Sequence, residues 1–148
     1  MTNTSDKGLI LAVDDTPSTL ELLQRNLTSQ GYQVFTASNV AEAIRLLEST
    51  PVDLVITDMK MPKSSGLDLV KYVHENMKNT EVMIVTGYAT IKGAIAAVET
   101  GALEYLIKPF TEEELLAVVQ RVFDKMQTRR AKQTHNACHC VSRHNTVS

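Results

Sequence analysis

Five short apolar runs alternate with segments whose apolar residues recur at helical spacing, and this alternation constrains the chain more than any other feature. The runs are Leu9–Val13, Gln33–Ala37, Leu54–Thr57, Val82–Thr86 and Tyr105–Ile107. Repeated strand-then-helix patterning predicts an α/β fold: a doubly wound, five-stranded parallel sheet with five helices covering both faces. Thr16-Pro17 is expected to cap and start a first helix with Leu20, Leu23 and Leu27 on one face, and Gly31 ends it. Asn39 with Glu42 forms a capping box before a second helix that buries Val40, Ala43, Ile44 and Leu47. A third helix follows Gly66 and presents Leu67, Val70, Val73 and Met77. A fourth presents Ile91, Ala94, Ile95 and Val98 and stops at Gly101. Thr111 with Glu114 caps the last, whose buried stripe is Leu115, Val118, Val119, Val122 and Met126.

The 148 residues, 43% hydrophobic and 22% charged, suit one domain with a real core. The expected division is a flexible N-terminus over 1–7, the domain over 8–127, and a disordered tail or linker over 128–148, where apolar periodicity stops. Charge divides the same way. Residues 1–124 hold ten Lys/Arg against seventeen Asp/Glu, a balance of −7, whereas residues 125–148 hold five Lys/Arg and no acid. An acidic body argues against direct nucleic-acid binding by the domain, because phosphate neutralisation dominates such affinity. No apolar stretch approaches the ~20 residues of a membrane helix, and MTNTSDKG does not read as a signal peptide, so a cytoplasmic location is expected. The cysteines, Cys138 and Cys140, stand only in the tail, so no disulfide staples the core.

The strand ends carry the chemistry. Asp14-Asp15 follows the first run, Asp58 the third and Lys108-Pro109 the fifth, while Thr86 closes the fourth. In a parallel sheet these ends share the carboxyl edge, where open α/β folds place their sites. Three carboxylates there repel one another by several kcal/mol at an effective dielectric of ~20 unless a cation intervenes or a proton is taken up. A hard divalent ion with oxygen ligands fits, and Mg²⁺ suits a few carboxylates with waters and a phosphate. Asp58, alone after an apolar strand, is the candidate nucleophile for an aspartyl phosphate, with Asp14 and Asp15 as metal-holding groups. Lys108 and Thr86 would neutralise and orient phosphoryl oxygens.

In order, D-D after the first strand, D-M-K-M-P-x-x-x-G from Asp58 to Gly66, Thr86-Gly87, and Lys108-Pro109-Phe110 resemble the receiver domain of bacterial response regulators over roughly residues 7–127. The resemblance implies a flavodoxin-like sheet in order 2-1-3-4-5 and a phosphorylation-activated switch rather than a true enzyme. Phosphorylation of Asp58 and its slow reversal would be its only catalysis. By the same resemblance, Asp58 accepts phosphate from a sensor histidine kinase or phosphotransfer protein. Asp15, Asp58 and the backbone carbonyl of Lys60 ligate Mg²⁺, Asp14 acts through water, and the Lys108–Pro109 bond is cis. Thr86 and Tyr105 form a switch pair that reshapes the surface of the fourth helix, fifth strand and fifth helix, through which a downstream effector or a second copy would bind. Lys60 and Tyr88 would tune phosphate lifetime. The stretch GYATIKGAIAAVETGALEYLIKPF resembles receivers that precede an ATPase in transcription activators, although the chain contains no G-x-x-x-x-G-K-[ST] loop.

Two other classes would use similar elements. An aspartate-nucleophile phosphatase wants a second acid two residues after the nucleophile, where Lys60 stands. A flavodoxin-like cofactor binder wants a hydroxyl- and glycine-rich loop where this chain has Asp14-Asp15-Thr16-Pro17. In the tail, His135, Cys138, His139, Cys140 and His144 invite a zinc reading, but their order matches neither the usual paired-ligand pattern nor C-x-x-C-H. Lys125, Arg129, Arg130 and Lys132 read as a solvated helix end.

Overall fold

The structure, a computed structural model, describes residues 8–61, 64–87 and 91–142. Strands β1 (Leu9–Val13), β2 (Gln33–Ala37), β3 (Leu54–Thr57), β4 (Glu81–Thr86) and β5 (Glu104–Ile107) alternate with helices α1 (Pro17–Thr28), α2 (Val40–Ser49), α3 (Gly66–Asn76), α4 (Ile91–Thr100) and α5 (Glu112–Ser142). The sheet is parallel throughout, in order β2-β1-β3-β4-β5. A two-residue antiparallel ladder, Lys60–Met61 against Ser64–Ser65, lies in the β3–α3 connection. Among the described residues no helix is long and apolar enough to cross a membrane.

Alternation along each strand feeds two cores, one on each face of the sheet. Leu11, Val13, Val55, Val82 and Ile84 join Val40, Ala43 and Leu47 of α2 and Leu69, Val70 and Val73 of α3. Ile10, Ala12, Leu54, Ile56, Met83 and Val85 join Leu23 and Leu27 of α1 and Leu115, Val118, Val119, Val122 and Met126 of α5. A strand buried on both sides has no polar face to show, which is why β1 and β3 read as nearly unbroken apolar runs.

The helix starts follow local hydrogen-bond needs. Asn39 accepts from the Glu42 amide at 2.8 Å, but Glu42 Oε1 reaches back to the Ser38 amide and hydroxyl, one residue before the cap. Thr111 and Glu114 form the full reciprocal box, with amide-to-side-chain bonds of 2.8 and 3.0 Å. Thr16 makes no side-chain cap. Its amide donates instead to Asp14 Oδ1 at 2.9 Å, a short-range turn that Pro17 then carries into α1.

Two features go beyond what the sequence pattern indicates. Ile95 and Val98, on the apolar face of α4, are 52% and 61% exposed. The helix stands against α3 and the edge strand β5, and among the described residues no further strand lies beyond β5 to cover these two side chains. The side chains of Ile91 and Ala94 lie outside the described residues. Secondly, α5 spans Glu112–Ser142 and so continues beyond residue 127. Neither glycine nor proline interrupts residues 112–142, so the backbone meets no helix breaker over this span.

One ion cluster ties β5 to α5. Glu104 accepts from Arg121 Nε at 3.0 Å and from Lys125 Nζ at 2.7 Å. The Arg121 bond does most to hold the Glu104 carboxyl below its usual range; burial, the next largest effect, opposes it, and the Lys125 bond and charge add to the lowering. A carboxyl lowered on folding adds stability above its unfolded value, near 4.5, and that stability is lost as pH falls through the folded value. With both cations largely exposed, the contribution is less than about 1 kcal/mol. Urea unfolding of Glu104→Gln beside wild type should show that deficit at neutral pH, and the two curves should merge in acid.

Candidate functional site

Strand ladders set the backbone of three polar groups at the carboxyl edge of the sheet. The Asp14 amide donates to the Ala37 carbonyl at 3.2 Å, the Asp58 amide to the Val13 carbonyl at 3.1 Å, and the Lys108 amide to the Thr86 carbonyl at 2.9 Å. These bonds extend the sheet by one residue and fix where the side chains leave it. Asp14, Asp15 and Asp58 thereby offer carboxylate oxygens that all lie within 4.8 Å of one another. Asp14 is 2% exposed and Asp58 9%, whereas Asp15 faces solvent.

Lys108 bridges the two buried acids. Its Nζ lies 2.8 Å from Asp14 Oδ2 and 3.1 Å from Asp58 Oδ2. Burial pulls the ammonium pKa down, but the hydrogen bonds and charges of Asp14 and Asp58 outweigh it and hold the value above the usual lysine range. Lys108 is therefore a fixed cation throughout the neutral range, seated between Asp14 and Asp58. The Lys108–Pro109 bond is cis.

Thr86 closes β4 at 1% exposure, with Ile107 opposite it on β5. Tyr105 is half-buried against the α2–α3 core, and burial first, then the Asp58 charge, raise its phenol pKa. Lys60 stands two residues past Asp58, paired with Ser65 in the short ladder. Tyr88 and His144 lie outside the described residues, as do the side chains of His135, Cys138, His139 and Cys140, although residues 135–140 fall within the α5 span.

Three residues around Asp58 escape a reading based on strand ends. Thr57, fully buried, donates its hydroxyl to the Asp58 carbonyl at 3.0 Å. Ser65 caps α3 by accepting from the Leu67 amide at 3.1 Å, and its hydroxyl reaches the Met59 carbonyl at 3.3 Å. Gly66 donates its amide to the same Met59 carbonyl at 2.8 Å, and a Cβ on it would stand 2.0 Å from the Asp58 carbonyl oxygen. The available signals were a hydroxyl ending the apolar run LVIT and a glycine at a fixed distance from Asp58.

The donor set is one that a hard cation accepts: carboxylates from three positions, two of them neutralised in part by one lysine. Nothing in it is soft, and imidazole and thiolate are absent from the cluster.

Comparisons with known proteins agree with this geometry. Residues 10–120 match the response regulator receiver domain family. The transcriptional regulatory protein GlrR of Escherichia coli K12 is 35% identical over 116 residues, covering 78% of this chain and 26% of that protein. The chain thus spans about a quarter of the length of that relative. A response regulator receiver domain protein from Clostridium thermocellum superposes with a TM-score of 0.75 at 34% identity, covering 81% of this chain and 97% of that one. The beryllofluoride-activated NtrC4 receiver domain dimer gives 0.76 at 29% identity, over 80% and 98% of the two chains. With a carboxylate cluster at the carboxyl edge of a 2-1-3-4-5 sheet and a family match over most of its length, the chain belongs to the response regulator receiver domains.

Proposed function

We propose that the domain takes a phosphoryl group on Asp58 from the phosphohistidine of a sensor kinase or phosphotransfer protein, and that the modified state presents an altered α4–β5–α5 surface. The observation that carries this is the buried Asp58 carboxylate, 3.1 Å from Lys108 Nζ and grouped with Asp14 and Asp15. An Asp58 oxygen forms the new bond to phosphorus as the phosphorus–nitrogen bond of the donor breaks, its electron pair leaving on the imidazole nitrogen. Water later cleaves the acyl phosphate slowly and returns inorganic phosphate. Asp15, Asp58 and the Lys60 carbonyl would hold Mg²⁺, with Asp14 acting through water. The ion supplies neutralisation of the phosphoryl oxygens. Lys108, already seated on Asp58, follows the oxygen it pairs with.

Thr86 and Tyr105 then transmit the change. Both lie on the same face of adjacent strands beside α4, so a hydroxyl drawn toward new phosphoryl oxygens leaves room that the ring can take up. Shifting an active state from 1:99 to 99:1 needs about 5.5 kcal/mol, within reach of a few charge-assisted hydrogen bonds at a largely buried site. The exposed Ile95 and Val98 on α4 and Ile107 at the end of β5 supply apolar area for an effector or a second copy. The NtrC4 neighbour, a receiver dimer in its activated form, supports the second copy. A cytoplasmic setting follows from the proposed kinase partner, and the acidic domain body does not itself bind nucleic acid.

The test is intact-mass analysis after incubation with acetyl phosphate. One phosphoryl group is expected with Mg²⁺ and none with excess chelator. Unmodified protein under both conditions, at donor and Mg²⁺ levels in the millimolar range, would count against the proposal.

A further inference from the structure

The register row Ala37–Val13–Thr57–Ile84–Tyr105 crosses all five strands, and Thr57 carries its only aliphatic hydroxyl. Its neighbours Val13 and Ile84 are 1% and 0% exposed, and it is itself fully buried. A valine would fill the same space with no polar atom to satisfy, so a packing role alone does not explain a threonine there. Its Oγ1 donates to the carbonyl of Asp58, 3.0 Å away. The chain on the far side of that carbonyl is held as well: the Gly66 amide and the Ser65 hydroxyl both reach the Met59 carbonyl, at 2.8 and 3.3 Å.

We infer that Thr57 is a positioning residue for the phosphoacceptor site, orienting the 58–59 peptide and through it the oxygens of Asp58 and Lys60 that would hold the cation. The inference rests on the function proposed above. A hydroxyl on a carbonyl sets rotation about the bonds on either side of that peptide. Asp58 lies immediately before the peptide and Lys60 one residue beyond it, so a small rotation moves two cation-directed oxygens together. Thr57 touches neither phosphate nor metal in this scheme.

Isothermal titration with Mg²⁺ alone, beside thermal unfolding without the ion, tests this on Thr57→Val, Thr57→Ala and Thr57→Ser. The serine variant keeps the donor and should bind as wild type does. The valine and alanine variants should bind Mg²⁺ about tenfold more weakly, the size of effect typical when a group supporting a metal ligand is removed. Valine, which matches the apolar row, should melt close to wild type, so that weaker binding there cannot be assigned to general loosening. Alanine serves as the second probe should the valine fail to fold. Wild-type affinity in both variants without the hydroxyl, or equal weakening in the serine variant, overturns the inference. Wild-type protein that takes up neither Mg²⁺ nor a phosphoryl group overturns the proposed function instead, and this inference with it.

Discussion

Replacing Asp58 by asparagine is expected to abolish phosphoryl uptake from acetyl phosphate while leaving the fold intact. The carboxamide keeps the shape but its oxygen is a far weaker nucleophile, and loss of an enzyme's nucleophile lowers rates by a factor on the order of 10⁴ or more. Stability should barely change, because two electrostatic effects oppose each other. Asp58 loses its attraction to Lys108 at 3.1 Å, about 5 kcal/mol at an effective dielectric of ~20. It also loses repulsion from Asp14 and Asp15, within 4.8 Å, at about 3.5 kcal/mol each on the same scale, a figure that solvent screening reduces for the exposed Asp15. Lys108 keeps Asp14 at 2.8 Å in either case. Intact mass and a melting curve on the same sample therefore separate lost chemistry from lost structure. Label that survives in Asp58→Asn but disappears in Asp15→Asn would move the nucleophile to Asp15.

What could be read from the chain beforehand depended on how local the physical cause was. The strands Leu9–Val13, Gln33–Ala37 and Leu54–Thr57 were legible to the residue because each is a short apolar run bounded by polar or turn-forming residues. Asp14, Asp58, Thr86 and Lys108 were legible for the same reason, as polar groups at the ends of such runs. Long-range pairing was not: Lys108 meets Asp14 across 94 residues, and no periodicity encodes which acid a lysine will choose. Helix α4 shows the same limit. Its apolar stripe was plain, but a stripe does not say whether both of its flanks are covered, and at the sheet edge Ile95 and Val98 are left in solvent. Thr57 passed as an ordinary β-branched strand residue until the direction of its hydroxyl was known.

Gly66→Ala should be the most disruptive single substitution beside the site. The glycine opens α3 directly over the β3–α3 connection, and a Cβ there would stand 2.0 Å from the Asp58 carbonyl oxygen, 2.9 Å from its carbon and 3.0 Å from Met59 Cα. All three atoms are backbone, so no side chain can swing aside. Relief requires either α3 to lift, exposing Leu69, Val70 and Val73, or the 58–59 peptide to turn away from Thr57. Overpacking of this kind costs about 1–3 kcal/mol, at the upper end when the obstacle is main chain. For a domain of this size the melting temperature should fall by roughly 5–10 °C. The two routes of relief leave different signatures. Lifting α3 lowers stability but spares Mg²⁺ affinity, whereas turning the peptide weakens Mg²⁺ binding even in protein that remains folded. Because Ser65 and the Gly66 amide both tether the Met59 carbonyl, the helix and the peptide are expected to move together, and both losses should appear in the same variant. An alanine variant that melts and binds Mg²⁺ like wild type would show that the carbonyl has room the geometry denies it.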